Sequence, residues 1–168
     1  MIVRCRRIFG LCSGNDRGSA LVELAIILPF FMLLVFGAVE FARAISTYGQ
    51  LVNQTRIAAR YLAARVPGRG HAEAKCMAVY GVASVTCSGT PLVVGLATDQ
   101  VSVVDASTAA DHRVQATGGS GSVAVNLVTV RISGYSHRLI VSGFLPDILG
   151  GATAITFDPI ALTMRQQL

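Results

Sequence analysis

Sixteen consecutive uncharged residues, Leu24 to Val39, constrain this chain more than any other feature. They lie inside ALVELAIILPFFMLLVFGAVEF, Ala20 to Phe41, whose only charges are Glu23 and Glu40. As a helix, Ala20 to Ala42 would be about 34 Å long, matching a bilayer hydrocarbon core of roughly 30 Å. A core helix of a globular protein keeps one wet face, and this stretch offers none. A membrane span over 20–42 is therefore expected. Two residues exceed what a plain anchor needs. Glu23 is costly near the lipid unless paired, protonated or close to the headgroups. Pro29 removes a backbone donor in mid-helix and loosens the turn around Ala25.

Charge placement sets the expected topology. The formal net charge is +5, and Arg4, Arg6, Arg7 and Arg17 precede the span, opposed there by Asp16 alone. The positive-inside rule then puts the N-terminus in the cytoplasm and the rest of the chain outside. A secretory signal fits less well, because its apolar region is only about 7–15 residues long, and Ala42-Arg43-Ala44 is a poor cleavage site. A nucleic-acid partner is not expected. The arginines are dispersed, and the chain carries no aromatic platform or binding motif.

The helical signal continues past the span. Phe41, Ile45, Tyr48, Val52, Thr55, Ala59, Leu62 and Val66 recur at alternating spacings of four and three, with polar residues between them. That near-heptad stripe predicts one helix from about Ala20 to Val66, ended by Pro67-Gly68-Arg69-Gly70. Its amphipathic half, 43–66, is expected to pack on the chain's own C-terminal domain and on neighbouring subunits. Residues 67–168 suffice for one small domain. A short helix is expected over Ala72–Val82, then strands at Leu92–Val94, Val101–Val104, Ser122–Ile132 and Ala161–Met164. In Ser122–Ile132 the apolar positions change parity at Leu127-Val128, which predicts burial on both faces or a bulge there. Thr117 to Gly121 reads as the turn before it, and His137 to Gly150 as a loop around Pro146. The fold class is α+β, with an antiparallel sheet.

Cys76 and Cys87 are the only cysteines after the span, whereas Cys5 and Cys12 precede it. Outside the cytoplasm two such thiols are expected to pair, closing a loop worth about 3 kcal/mol in the chain-entropy account. His71, His112 and His137 are isolated, without ligand-like spacing, so no metal or cofactor is expected. Asp111-His112 reads as a solvated turn pair. Neither a nucleophile elbow nor a phosphate-binding glycine loop is present, and catalysis is not expected.

The string GSALVELAIILPFFMLLVFGAVEFARA resembles the TadE-like pseudopilins of tight-adherence (Flp-type) pilus systems. Gly18, Ser19 and Glu23 stand where type IV pilin-like precursors carry the cleavage-site glycine, the new N-terminus and the fifth-position glutamate. Ala20, Val22, Leu28, Pro29, Glu40 and Phe41 complete the likeness, and IALTMRQQL is similar to the closing strand. The resemblance implies a basic leader, 1–18, removed after Gly18 by a prepilin peptidase, and a mature chain with a pilin-like fold. It implies that the Ser19 amine pairs with Glu23 of its own or an adjacent subunit, and that Pro29 lets the helix bend during assembly. Partners would be other pilins or pseudopilins, the inner-membrane assembly platform and the bilayer, with the C-terminal domain periplasmic. The expected role is that of a minor pseudopilin in adherence and biofilm formation. The alternative is an uncleaved single-pass scaffold of the same machinery that never polymerises.

Overall fold

The computed structural model describes residues 16–118, 121–140 and 153–167. The leader up to residue 15, the Gly119-Ser120 tip and most of the loop around Pro146 lie outside the described residues. The chain divides between Val39 and Glu40 into two units. Helix α1, Asp16–Ala63, is 48 residues long and supplies the whole described part of the first unit. Residues 19–34 are all exposed, as an apolar helix without protein cover must be.

The second unit joins the rest of α1 to a short helix and six strands. Helix α2 is His71–Tyr80, and the strands are β1 Val101–Asp105, β2 Arg113–Gly118, β3 Gly121–Ile132, β4 Ser136–Arg138, β5 Ala154–Thr156 and β6 Ile160–Arg165. All pairings are antiparallel among the described residues. Strand β3 is the spine of the main sheet. Its C-terminal half pairs β1 (Val101↔Ile132 to Asp105↔Val128) and β6 (Ile132↔Ile160 to Leu127↔Arg165). Its N-terminal half pairs β2 (Arg113↔Asn126 to Gly118↔Gly121). The change of partner falls at Leu127, where the sequence changes parity. From there Val128, Val130 and Ile132 are buried while Arg131 is exposed, so the alternation resumes in the new register. A separate two-stranded ribbon pairs β4 with β5.

Three expectations need correction. Leu92–Val94 is a turn held by Leu92 N–H donating to the Val79 carbonyl at 2.8 Å, not a strand. His137 and Arg138, expected at the start of a loop, pair with β5 as part of β4. Strand β2 was not foreseen, because Arg113-Val-Gln-Ala-Thr-Gly has few β-branched residues and forms by pairing with β3.

One core gathers Leu51, Ala58, Ala59 and Leu62 of α1, Ala74, Ala78 and Val79 of α2, Val101 of β1, and Val128, Val130 and Ile132 of β3. The α1 contribution combines Ala58 and Ala59 with Leu51 and Leu62, which are among the largest fully buried side chains. Thr55 belongs to the same buried face, its hydroxyl donating to the Leu51 carbonyl at 2.8 Å. The C-terminal tail closes the helix end: Gln167 N–H donates to the Ala63 carbonyl at 2.7 Å, and the Gln166 amide to the Leu62 carbonyl at 3.3 Å. The Ala63 carbonyl lies at the helix end, where carbonyls have no intrahelical partner. Gly81 ends α2 at φ 76°, where a side chain is strained, and its N–H donates to the Met77 carbonyl.

Leu62, with no exposed surface, sits where α1, α2 and the sheet meet. Leu62→Ala is expected to lower the unfolding free energy by about 2–5 kcal/mol. Urea unfolding of the detergent-solubilised chain, followed by tyrosine fluorescence, checks this.

Candidate functional site

The residues expected to direct processing lie at the start of α1. Gly18 is half-buried and Ser19 exposed, and their peptide bond is two residues inside the helix that starts at Asp16. Glu23 is exposed and makes no hydrogen bond or ion pair among the described residues, and Pro29 is exposed inside the helix.

Among the described residues, α1 is the one helix long and apolar enough to cross a membrane, with a mean hydropathy of 2.5 in its apolar window. By length and composition it is a candidate single-pass membrane span.

The stripe expected to pack splits in two. Thr55, Ala59 and Leu62 are fully buried and Val52 is half-buried. Phe41, Ile45, Tyr48 and Val66 are 70%, 56%, 48% and 53% exposed. The face that α1 buries runs instead through Glu40, Ala44, Leu51, Thr55, Ala58 and Leu62. At about 100° per residue, the two lines are offset by roughly 60° around the helix. The large side chains at 41, 45 and 48 therefore flank the buried face. Tyr48 touches Phe157 edge-on at 5.8 Å between ring centroids, and Phe157 also stacks with Tyr135 and His137.

Glu40, at the end of the uncharged run, is only 7% exposed. Its Oε2 meets Arg43 Nη1 at 3.0 Å, and its Oε1 accepts the Ile140 N–H at 2.7 Å. The second glutamate of the motif thus ties the chain after β4 to the helix.

A polar cluster that the sequence reading missed surrounds Asp105, at the end of β1. The residue is fully buried. Its Oδ2 accepts the Gly68 N–H and faces His71 Nε2, each at 2.7 Å. Its Oδ1 accepts the Ser107 hydroxyl at 2.6 Å and the N–H groups of Ser107 and Thr108 at 3.0 and 3.2 Å. Burial pushes the pKa of this carboxyl up, but the Ser107 hydroxyl, the Gly68 N–H and His71 outweigh it and hold the pKa far below the ordinary carboxylate value. The available signal was Asp105-Ala-Ser-Thr, an Asx-type turn placed straight after a strand.

His112 is also more than half of a turn pair. Its Nδ1 meets Asp111 Oδ1 at 2.9 Å, and its Nε2 meets the Thr129 hydroxyl at 2.9 Å, which in turn meets Thr163 at 2.7 Å. The hydrogen bond from His112 lowers the pKa of Asp111. Thr129 and Thr163 face each other across β3 and β6, so the chain of bonds fastens the turn before β2 to the sheet. Among the described residues no group of three or more His, Cys, Asp or Glu is placed to hold a metal ion.

Cys76 of α2 and Cys87 form a disulfide with 5.1 Å between Cα atoms. It holds the segment after α2 against that helix. Val93 and Leu96 are buried further along the segment, and the Tyr135 hydroxyl donates to the Val94 carbonyl at 2.9 Å.

Residues 18–60 match the family model of TadE-like protein. The match covers the processing residues, the span and most of the amphipathic half of α1, and ends before α2 and the sheet. No curated protein and no solved structure gives a significant match. The likeness to that family model is confined to residues 18–60.

Asp105 generates a pH prediction. Its folded pKa is lowered, so its stabilising contribution is complete above about pH 4, the unfolded carboxylate value, and is lost as pH falls from there toward the lower folded value. Asp105→Asn is expected to cost about 2–4 kcal/mol at neutral pH and to flatten the loss of stability below about pH 4. Thermal unfolding midpoints of both proteins across that range give the readout. Equal midpoints at neutral pH would show the cluster to be dispensable.

Proposed function

We propose that this TadE-like chain is a minor pseudopilin that supports assembly of a Flp-type pilus, and through it adherence and biofilm formation. The observation that carries this reading is the family match over 18–60, which contains Gly18, Ser19, Glu23, Pro29 and Glu40 in one helix whose residues 19–34 are exposed. In this reading a prepilin peptidase removes 1–18 on the cytoplasmic side of the inner membrane, and 67–168 lies in the periplasm. A disulfide between Cys76 and Cys87 fits that oxidising compartment.

The chemistry follows from the exposed carboxylate. Cleavage after Gly18 creates an amine at Ser19, one helical turn before Glu23. An ion pair between them, within one subunit or between two, removes the cost of a lone carboxylate in lipid. The exposed Phe41, Ile45 and Tyr48 supply an apolar surface to neighbouring pilins or to the assembly platform. The protein acts by assembly, and the reaction in which it takes part is its own cleavage. The hydrogen-bonded Asp111, His112 and Thr129 supply fastening of the sheet, not catalysis.

Two substitutions are expected to fail at different steps. Gly18→Phe puts a bulky side chain at the scissile bond and should leave the leader on. Glu23→Ala lies beyond the cut and should be processed yet assemble poorly. Immunoblots of precursor and mature forms, read beside pilus counts from the same cells, separate the two. Wild-type protein that keeps its leader would instead favour an uncleaved scaffold. Normal pili from the Glu23→Ala protein would remove the proposed ion pair.

A further inference from the structure

The second unit contains a groove of about 400 Å³ that the assembly reading does not use. One wall is the start of its helical segment, with Arg43, Thr47 and Gln50; the other walls are the Leu92–Gly95 turn and Tyr135–Arg138. The polar lining is rich in donors. Arg43 and Arg138 bring two guanidinium groups, with hydroxyls from Thr47 and Ser136 and an amide from Gln50. Among the described residues no carboxylate lines it. Arg43 is bonded to Glu40 through Nη1, which leaves its other N–H groups free to reach a second acceptor.

His137 also lines this groove and is 5% exposed, yet its Nε2 is buried without a hydrogen-bond partner. A buried ring nitrogen in that condition carries a free-energy cost that a ligand or an ordered water removes. The opposite rim is apolar: Leu92 is 50% exposed and Val94 88%. Cationic forks beside an apolar lip match a phosphodiester attached to hydrocarbon, and guanidinium geometry suits phosphate oxygens. Along the sequence, Arg43 follows the last residue of the uncharged run, Val39, by about one helical turn. Side chains at that position reach the headgroup layer of a bilayer crossed by the run.

We propose that this groove binds a phosphate-bearing group, the headgroup of an anionic phospholipid in the bilayer that the N-terminal helix crosses. Arg43 and Arg138 grip the phosphate, His137 and Ser136 complete its hydrogen bonds, and Leu92 and Val94 meet the glycerol and first acyl carbons. The bound lipid fixes the depth at which the second unit rides on the membrane. The site rests on the reading of Leu24–Val39 as a span and goes beyond any role in the pilus.

The test uses the full chain reconstituted in phosphatidylcholine nanodiscs doped with phosphatidylglycerol. Lipid retained after mild detergent extraction is counted by native mass spectrometry. Wild type is expected to retain phosphatidylglycerol about tenfold over phosphatidylcholine, and Arg43→Gln with Arg138→Gln to bring that ratio near one. Arg138→Gln alone changes an exposed residue outside the Glu40 pair and should lower the ratio severalfold with an unchanged unfolding midpoint. Thr47→Phe, which fills the groove, should act like the double variant. Soluble glycerol phosphate supplies the second arm. Displacement of the lipid by it, with the same dependence on both arginines, keeps the phosphate site but assigns it to a soluble ligand. Equal retention of both lipids by wild type, or a preference that survives all three variants, overturns the proposal. A chain that leaves the membrane fraction altogether defeats the span itself, a separate result.

Discussion

A carboxylate sealed from water holds the second unit's irregular parts together. Asp105 receives hydrogen bonds from the connection after α1 at Gly68, from α2 at His71, and from its own turn at Ser107 and Thr108. Burying a charge is tolerable only when nearly every lone pair is met, and here both oxygens are. The consequence spreads outward. With α2 tied to the end of β1 at its first residue, Cys76 comes to lie within reach of Cys87. The disulfide then holds the segment that supplies Val93 and Leu96 to the core and Leu92 and Val94 to the groove rim. A small unit with a modest apolar core depends on such polar fastening more than a large one does.

The segment of α1 from Glu40 onward meets two further demands at its ends. At Glu40 a nearly buried carboxylate holds the Ile140 N–H, and at Ala63 the tail after β6 takes up helix carbonyls. These two bonds join residues 100 or more positions apart in sequence, so the segment carries the unit along its length. Between them the buried face is built of Ala44, Leu51, Thr55, Ala58, Ala59 and Leu62. The Thr55 hydroxyl satisfies itself on its own helix.

How much of this was legible follows from where each signal sits. An uncharged run of sixteen residues has few structural outcomes, so the long helix and the α+β class followed directly. Strands β1 and β3 carry dense β-branched residues and were readable, as was β6; the parity change at Leu127-Val128 was visible, and the structure shows there a change of partner strand. Strands β2, β4 and β5 draw their order from pairing partners and not from their own composition. Asp105 and Glu40 gain their meaning from contacts more than thirty residues away, which no local pattern encodes. The stripe on α1 was real as a pattern, but period alone cannot say which of two adjacent lines faces the sheet. The side that packs takes Leu51 and Leu62 as well as Thr55 and Ala58, and Phe41, Ile45 and Tyr48 fall roughly 60° away.

That offset bears on function. Phe41, Ile45 and Tyr48 stand on consecutive turns just beyond the uncharged run, and all three are about half exposed or more. Single exposed apolar residues are ordinary, whereas an aligned series on one helix marks a surface that is covered in use. Lipid can cover Phe41, nearest the run, but cannot follow the helix through Thr47, Gln50 and Asn53 with equal ease. A protein neighbour can, because it meets apolar and polar side chains on one face. Assembly through this face would therefore begin where the bilayer ends, while the adjacent buried face keeps the second unit folded. In the proposed assembly a neighbour would meet Phe41 and Ile45, which the helix's own domain leaves exposed.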